Sequence, residues 1–243
     1  MRSFSDIFPY KPIIGMIHLA GNSEREIRKR AREELEVYHN MGVDAAIVEN
    51  YHCRDVRILE RVIREHNYRS DIRFPLGVNI LPNEYAWAFA IAHQHHLNFI
   101  QLDFVAGEYE EGTLNYDHYK ETRRQYPDII VLGGVHPKYY TPIEDANLTV
   151  DLNYGLARAE AIVVTGQGTG KETPIEKIKE FRRVIGNHPL VIGAGLTPEN
   201  AREQLALADG AIVGSTFKRS TKDPVHPRLV KQLMDVVRDV RRH

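Results

Sequence analysis

The chain has 243 residues, 42% of them hydrophobic and 27% charged, with a formal net charge of −1. That length suits one or two domains, and α/β barrels of this size often fold as one. The even charge balance excludes a general nucleic-acid or anionic-membrane binder, whose footprint would be basic. A lone cysteine, Cys53, excludes an intramolecular disulfide and any multi-cysteine metal site. The opening segment "MRSFSDIFPYKP" lacks the apolar core of a signal peptide. No run approaches the ~18 apolar residues of a membrane span, so the expected setting is the cytoplasm.

Short apolar, β-rich runs alternate with longer amphipathic stretches. "PIIGMIHL" (12–19) leads into a helix capped by Ser23, with Glu26 in the capping-box position and Gly42 as its stop. "DAAIVEN" (44–50) and "FPLGVNIL" (74–81) follow, and Asn83 stands where it can cap a helix through Trp87 and Ile91. "NFIQLDFV" (98–105) precedes a helix capped by Asn115. Next come "DIIVLGGVH" (128–136) and "AEAIVVTG" (159–166). "TPIEKIKEFRRVIG" offers Thr173 as a cap, Pro174 in the first turn and Gly186 as the end. After "PLVIGAG" (189–195), Thr197 and Pro198 repeat that grammar in "TPENAREQLALADG". "DGAIVGS" (209–215) is followed by a last helix, about 226–242, basic at its end. Near-continuous apolar runs read as strands buried on both faces, as in a parallel sheet. Eight of them alternating with helices predict a single-domain (β/α)8 TIM barrel over residues 1–243. A doubly wound sheet would carry a G-x-G-x-x-G turn after its first strand, where this chain has "HLAGNSE".

Barrel chemistry sits at the C-terminal strand ends. Here those ends carry His18, Glu49 and Asn50, Asn79, Asp103, His136 with Lys138, Thr165, Gly193 and Gly195, then Gly214 and Ser215. Glu49 and Asp103 directly follow buried runs, which argues against mere solvation. Asn50 and Asn79 also read as residues that satisfy loop backbone. In "HQHH" (93–96), His93 and His96 share a helix face, and a helix C-terminus favours histidine without any metal.

"VIGAGLTPEN" sets Gly193 and Gly195 between a strand and a helix whose first N–H groups, near Thr197, are free for an anion. "AIVGSTFK" does the same with Gly214, Ser215 and Thr216. Phosphate sites after strands seven and eight recur in barrels, so phosphate is expected at Gly193, Gly195, Gly214 and Ser215. The competing reading is a pair of tight turns.

The stretch "IVVTGQGTGKE" invites comparison with the phosphate loop G-x-x-x-x-G-K-[ST]. Gly166 and Gly170 bracket three residues rather than four, and Glu172 stands where the Mg²⁺-ligating hydroxyl belongs. A carboxylate there repels nucleotide phosphates, which disfavours a nucleoside triphosphatase. The loop is expected instead to extend over the barrel mouth, with Lys171 either meeting an anionic group or solvated.

These residues carry a resemblance. "KPIIGMIHLAG", "GVDAAIVEN", "PLGVNIL", His136-Pro137-Lys138, "IVVTGQGTGK" and "VIGAGLTPENA…ADGAIVGSTFK" resemble the BtpA/SgcQ family over about residues 11 to 235. The resemblance implies a ribulose-phosphate-binding type of TIM barrel. The chain departs from the family pattern in three places. "YHCRD" follows Glu49-Asn50 where relatives carry an Asp-x-Pro-Phe-like segment. Leu102-Asp103-Phe104 replaces Asn-Val, and the loop after His18-Leu19 is shortened to "AGNSE". These changes imply a divergent subgroup with another substrate.

The strand-end residues point to an enzyme acting on a phosphorylated sugar or related small phosphate ester. Isomerisation, epimerisation or aldol cleavage by proton abstraction next to a carbonyl would need a base, an acid and an oxyanion stabiliser, and glycosyl-bond lysis would use the same carboxylates. Glu49 or Asp103 is expected as base, His136 or His18 as acid or polariser, and Lys138 at the oxyanion. Asn50, Asn79, Thr165 and Lys171 are expected to touch substrate. A divalent metal held by His18, Glu49, Asp103 and His136 is a further option. A homo-oligomer is consistent with this reading. The family's name implies an alternative, a non-catalytic assembly or stability factor for a membrane protein complex.

Overall fold

In the computed structural model, residues 2–68, 72 and 74–242 are described. Eight strands form the barrel: β1 (Ile13–His18), β2 (Ala45–Glu49), β3 (Leu76–Asn79), β4 (Phe99–Ala106), β5 (Ile130–Val135), β6 (Ala161–Val164), β7 (Leu190–Ile192) and β8 (Gly210–Val213). Every pairing is parallel, each strand lies beside its sequence neighbours, and β8 closes onto β1. Helices fill the intervals: α1 (Glu24–Met41), α2 (Val56–Asn67), α3 (Tyr85–Gln94), α4 (Tyr116–Gln125), α5 (Leu148–Arg158), α6 (Ile175–Ile185), α7 (Ala201–Leu207) and α8 (Pro227–Val240). This is the (β/α)8 barrel that the alternation predicts. A short hairpin, Glu108–Tyr109 with Gly112–Thr113, follows β4.

The barrel interior is filled by side chains of alternate strand positions, among them Ile14, Met16, Ile47, Leu132, Val163, Val191 and Ile212. Phe4 and Phe8, from the segment before β1, plug its N-terminal end, with Phe8 edge-on to Phe99 at 5.0 Å. A second, larger cluster joins the outer strand faces to the helices. With the lower end stoppered, the open end is the one that carries the polar strand termini. Among the described residues no helix is long and apolar enough to cross a membrane.

The helix boundaries follow the sequence in part. Ser23 accepts the Glu26 N–H at 3.3 Å, Gly42 ends α1 at φ 78°, and Asn115 caps α4 through the His118 N–H. Asn83 does not cap α3. Its amide bonds the backbone of Phe104, accepting at 3.1 Å and donating at 3.0 Å, which ties the β3 loop to β4. Thr173 does not cap α6 either, because its hydroxyl donates to the Ala194 carbonyl at 2.9 Å. Near Thr197 the chain makes a turn in which Asn200 accepts the Thr197 N–H at 2.8 Å, and α7 starts only at Ala201. Asn83 and Thr173 thus serve longer-range loop contacts instead of the adjacent helix, and Asn200 closes a local turn.

Candidate functional site

Strand register assembles the site. His18 pairs with Glu49 across β1 and β2, and Glu49 pairs with Asn79 across β2 and β3. Parallel neighbours in register point the same way, so these three side chains form a row at the barrel mouth. The row continues on β4, where Gln101 and Asp103 alternate with buried Ile100, Leu102 and Phe104 and so face inward. The Asn79 amide donates to Glu49 and to Gln101 at 2.9 Å each and lies 3.3 Å from Asp103. The Tyr140 hydroxyl donates to the other oxygen of Asp103 at 2.9 Å.

The row borders a cavity of about 550 Å³. His18, Glu49, Asp103, Lys138, Thr165, Gly193, Gly195, Gly214 and Ser215, all anticipated from the sequence, line it. Glu49 and His18 are only 7% and 8% exposed. Burial, then the nearby Asp103 charge, pushes the Glu49 carboxyl up to about 7. Burial also raises Asp103, opposed by the Tyr140 and Asn79 hydrogen bonds. His18 is driven well below its ordinary value by burial and then by the charges of Lys218 and Lys138. Its Nε2 lies 3.3 Å from Glu49 Oε2. With its imidazole held neutral, His18 forms no ion pair of two charged groups with Glu49.

Four anticipated residues sit differently. His136 is absent from the cavity wall; its Nε2 lies 2.7 Å from Asp151 Oδ2 on α5. Asn50 clasps Leu81, accepting its N–H at 2.8 Å and donating to its carbonyl, and so shapes the loop after β3. Asn79 is wholly buried behind the two carboxyls and orders them. The Lys171 side chain is exposed and does not line the cavity. With His136 turned to Asp151, the four-residue metal set is not brought together. Among the described residues no three His, Cys, Asp or Glu side chains are grouped to hold a metal ion. The same holds for "HQHH": His95 meets Glu60 at 2.9 Å, while the His93 ring packs on Tyr126.

The glycine-rich loop after β6 owes its composition to close packing. A Cβ on Gly166 would sit 2.4 Å from the Glu172 carbonyl, so the loop closes on itself. Gly195 has φ 73°, and a Cβ there would lie 2.2 Å from the Lys171 carbonyl. The Glu172 side chain accepts from Gln204 of α7 at 3.1 Å, an anchoring contact where a phosphate loop needs a hydroxyl. Thr169 and Gly170 reach the cavity, and the Tyr139 hydroxyl accepts the Thr169 N–H at 2.9 Å. Thr216 donates to the Leu196 carbonyl at 2.6 Å and ties the β7 and β8 turns together.

Sequence reasoning missed several contributors. Tyr51, Arg54, Gln101, Tyr139 and Tyr140 also line the cavity. Gln101 carries a signal, since it lies two residues before Asp103 on the same strand face. Lys177 on α6 bridges the carbonyls of His136 and Thr165 at 3.0 and 2.9 Å. Lys218 is buried, with no hydrogen-bond partner for its Nζ among the described residues.

Fold and site together define a closed parallel (β/α)8 barrel with a carboxyl-bearing cavity at its C-terminal mouth. Residues 9–239 match the model of the BtpA family, and the chain belongs to that family. It is similar to an uncharacterized protein of Pyrococcus furiosus, 30% identical over 240 residues that cover 88% of this chain and 89% of that protein. It is similar also to the photosystem I biogenesis protein BtpA of Synechocystis, 26% identical over 242 residues, 90% and 84% of the two chains. Among solved structures it resembles native KDPGal, with a TM-score of 0.65 and 14% identity over 96% of this chain and 97% of that one. Phosphoribosyl anthranilate isomerase from Thermus thermophilus gives a TM-score of 0.60 and 14% identity over 94% and 99%. At such identity the structural likeness concerns the fold.

Proposed function

We propose that this protein is an enzyme that moves a proton next to a carbonyl carbon of a phosphorylated sugar or similar phosphate ester. Isomerisation, epimerisation and aldol cleavage all lie within that chemistry; glycosyl-bond lysis, which involves no carbonyl, would instead use Glu49 and Asp103 as its acid and base pair. The observation that carries the reading is Glu49, a buried carboxyl with a pKa of about 7, facing a cavity beside His18, Asp103 and Lys138. A general base works best when its pKa lies near the working pH. Burial makes ionised Glu49 a stronger base than a surface glutamate.

Each neighbour has a role that its environment supports. His18, held neutral, presents Nε2 to Glu49 and to a substrate oxygen. Lys138 supplies the positive charge for a developing oxyanion. Tyr140 donates to Asp103 alone and favours its ionised form, while Asn79 donates to both carboxyls. The phosphate is assigned to the backbone of Gly193–Gly195 and Gly214–Ser215, with Thr169 and Gly170 completing the cradle. The Thr197 N–H, already taken by Asn200, plays no part. The names of the structural neighbours, a KDPGal protein and an isomerase of a phosphoribosyl compound, support this choice of substrate class.

Thermal-shift measurement against inorganic phosphate and a panel of phosphorylated sugars tests the assignment. Stabilisation by phosphate esters, and none by the unphosphorylated sugars, is expected. No stabilisation by any phosphate compound would sink it.

A further inference from the structure

The cavity is larger than a simple phosphosugar requires. At the ~30 Å³ that a water occupies in the liquid, its 550 Å³ holds about eighteen water-sized groups, and covalently linked atoms pack more densely than that. The volume falls among sites that take ligands of roughly drug size, about 300–1,000 Å³.

The excess space lies in one direction. The cyclic strand order sets β3 and β4 across the barrel from β7 and β8. A phosphate at Gly195 and Ser215 therefore leaves the opposite wall for another part of the ligand. That wall is made by Leu81 and Pro82 after β3, Gln101 on β4, Tyr140 after β5 and Arg54 after β2. Leu81, Pro82 and the Tyr140 ring present apolar and aromatic surface of the kind that seats a flat ring.

Arg54 supplies the charge. It is exposed at the rim, lines the cavity, and makes no hydrogen bond or ion pair among the described residues. The competing acid on that side, Glu111, is engaged by the N–H and hydroxyl of Thr141 at 2.8 and 3.1 Å. Glu49 and Asp103, raised mainly by burial, both register Arg54 as a smaller downward influence, so its field reaches the reacting groups. A guanidinium with no internal partner is suited to a planar, two-oxygen acid.

We infer that the substrate is bipartite: a phosphosugar joined to a planar ring that carries an acidic group. The phosphate sits at the β7 and β8 turns, the ring lies on Leu81, Pro82 and Tyr140, and the acid meets Arg54. The sugar carbons then fall in the middle of the cavity, beside Glu49 and Lys138. This rests on the phosphosugar reading above and extends it to the far end of the site.

Isothermal titration of the purified protein with three probes tests the inference. Ribose 5-phosphate carries the phosphosugar alone, uridine 5′-monophosphate adds a flat ring, and orotidine 5′-monophosphate adds a ring with a carboxylate. Orotidine monophosphate should bind at least about 10-fold more tightly than uridine monophosphate, the range expected for a charge-assisted hydrogen-bonded pair. Arg54→Gln should erase that difference while leaving the ratio between uridine monophosphate and ribose 5-phosphate in place. If ribose 5-phosphate binds and neither nucleotide binds more tightly, the bipartite inference falls and the phosphosugar reading stands. Equal weakening of all three ligands by Arg54→Gln would overturn the role of Arg54. If no probe binds, both readings fail together.

Discussion

His136 Nε2 lies 2.7 Å from Asp151 Oδ2, so a histidine just past the end of a barrel strand is turned away from the cavity and onto a helix. His136 and Tyr139 both adopt left-handed backbone, at φ 44° and 69°. Such conformations cost about 1–3 kcal/mol each for residues other than glycine and persist only where the surroundings impose them. Here the surroundings are specific. The His136 N–H donates to the Tyr109 hydroxyl at 3.0 Å, and its carbonyl accepts from Lys177. The Lys138 N–H donates to Thr165 Oγ1 at 2.7 Å. These bonds fix the turn that brings Lys138 to the cavity wall. On the proposed reading His136 is thereby a positioning residue for Lys138.

Lys138→Met should lower turnover by about 10²–10³, the loss typical of removing one oxyanion donor. His136→Ala should cost less, about 10-fold, through misplacement of Lys138. The informative variant is the double substitution. Residues that act through one another are non-additive, so His136→Ala on the Lys138→Met background should cost almost nothing further. Multiplying losses in steady-state kinetics would show that His136 acts on substrate in its own right.

Glu49 gives a pH signature in stability. Its folded-state pKa, about 7 against an ordinary 4.5, means that the folded protein keeps a proton that the unfolded chain releases between those values. Stability falls as pH rises through that window. Below pH 4.5 the group is protonated in both states and costs nothing; above 7 it is ionised in both and the cost is complete. At 1.36 kcal/mol per unit the cost approaches roughly 3 kcal/mol. Glu49→Gln should therefore be more stable than the parent at pH 8 and about equal to it at pH 4. Denaturant melts at both pH values measure this, and a pH-independent difference would refute it. Turnover of the parent should rise through about pH 7 as the base ionises, while His18 stays neutral.

Tyr139 latches the glycine-rich loop by accepting the Thr169 N–H at 2.9 Å. The hydroxyls of Tyr51 and Thr169 also lie within hydrogen-bonding reach, so loops after β2, β5 and β6 meet over the mouth. Tyr139→Phe removes the acceptor and keeps the ring. The loop should then close less tightly over the phosphate end, raising KM about 5-fold, or about 1 kcal/mol. kcat should change less, since no reacting group moves. A fall in kcat with KM unchanged would place Tyr139 in the chemistry instead.

The barrel was legible because parallel strands buried on both faces leave uninterrupted apolar runs, and because Gly42 and Asn115 end and begin helices by purely local geometry. Glu49, Asp103 and His18 were legible as polar groups that directly follow such runs. The direction of His136 was not, because a residue just past a strand points wherever its loop turns it, and that turn depends on Asp151 and Lys177 far along the chain. Thr173 and Thr197 looked like caps but serve contacts about 21 residues away and in a local Asn200 turn, respectively. Arg54, Tyr139 and Tyr140 lie in loops with no periodicity, so nothing in their spacing marks them as cavity wall.

Gly195 gives the most direct test of the cradle's construction. Its φ of 73° is left-handed, and an added Cβ would meet the Lys171 carbonyl at 2.2 Å and the Glu172 Cα at 2.4 Å. Both contacts are with backbone of a loop that Gln204 anchors from behind, so neither can yield cheaply. Left-handed strain of about 1–2 kcal/mol adds to about 1–3 kcal/mol for the clash. Gly195→Ala should therefore lose about 2–5 kcal/mol. For a chain of this size each kcal/mol corresponds to about 2–4 °C in Tm. Gly42→Ala separates strain from crowding, because Gly42 is left-handed at φ 78° and ψ 30°, and the nearest atom to the added carbon is the Arg238 guanidinium at 3.8 Å. It should cost only the backbone part, about 1–2 kcal/mol. Equal losses for the two variants would mean that the loop after β6 is not held against the β7 turn, and the phosphate cradle assembled from both would lose its support.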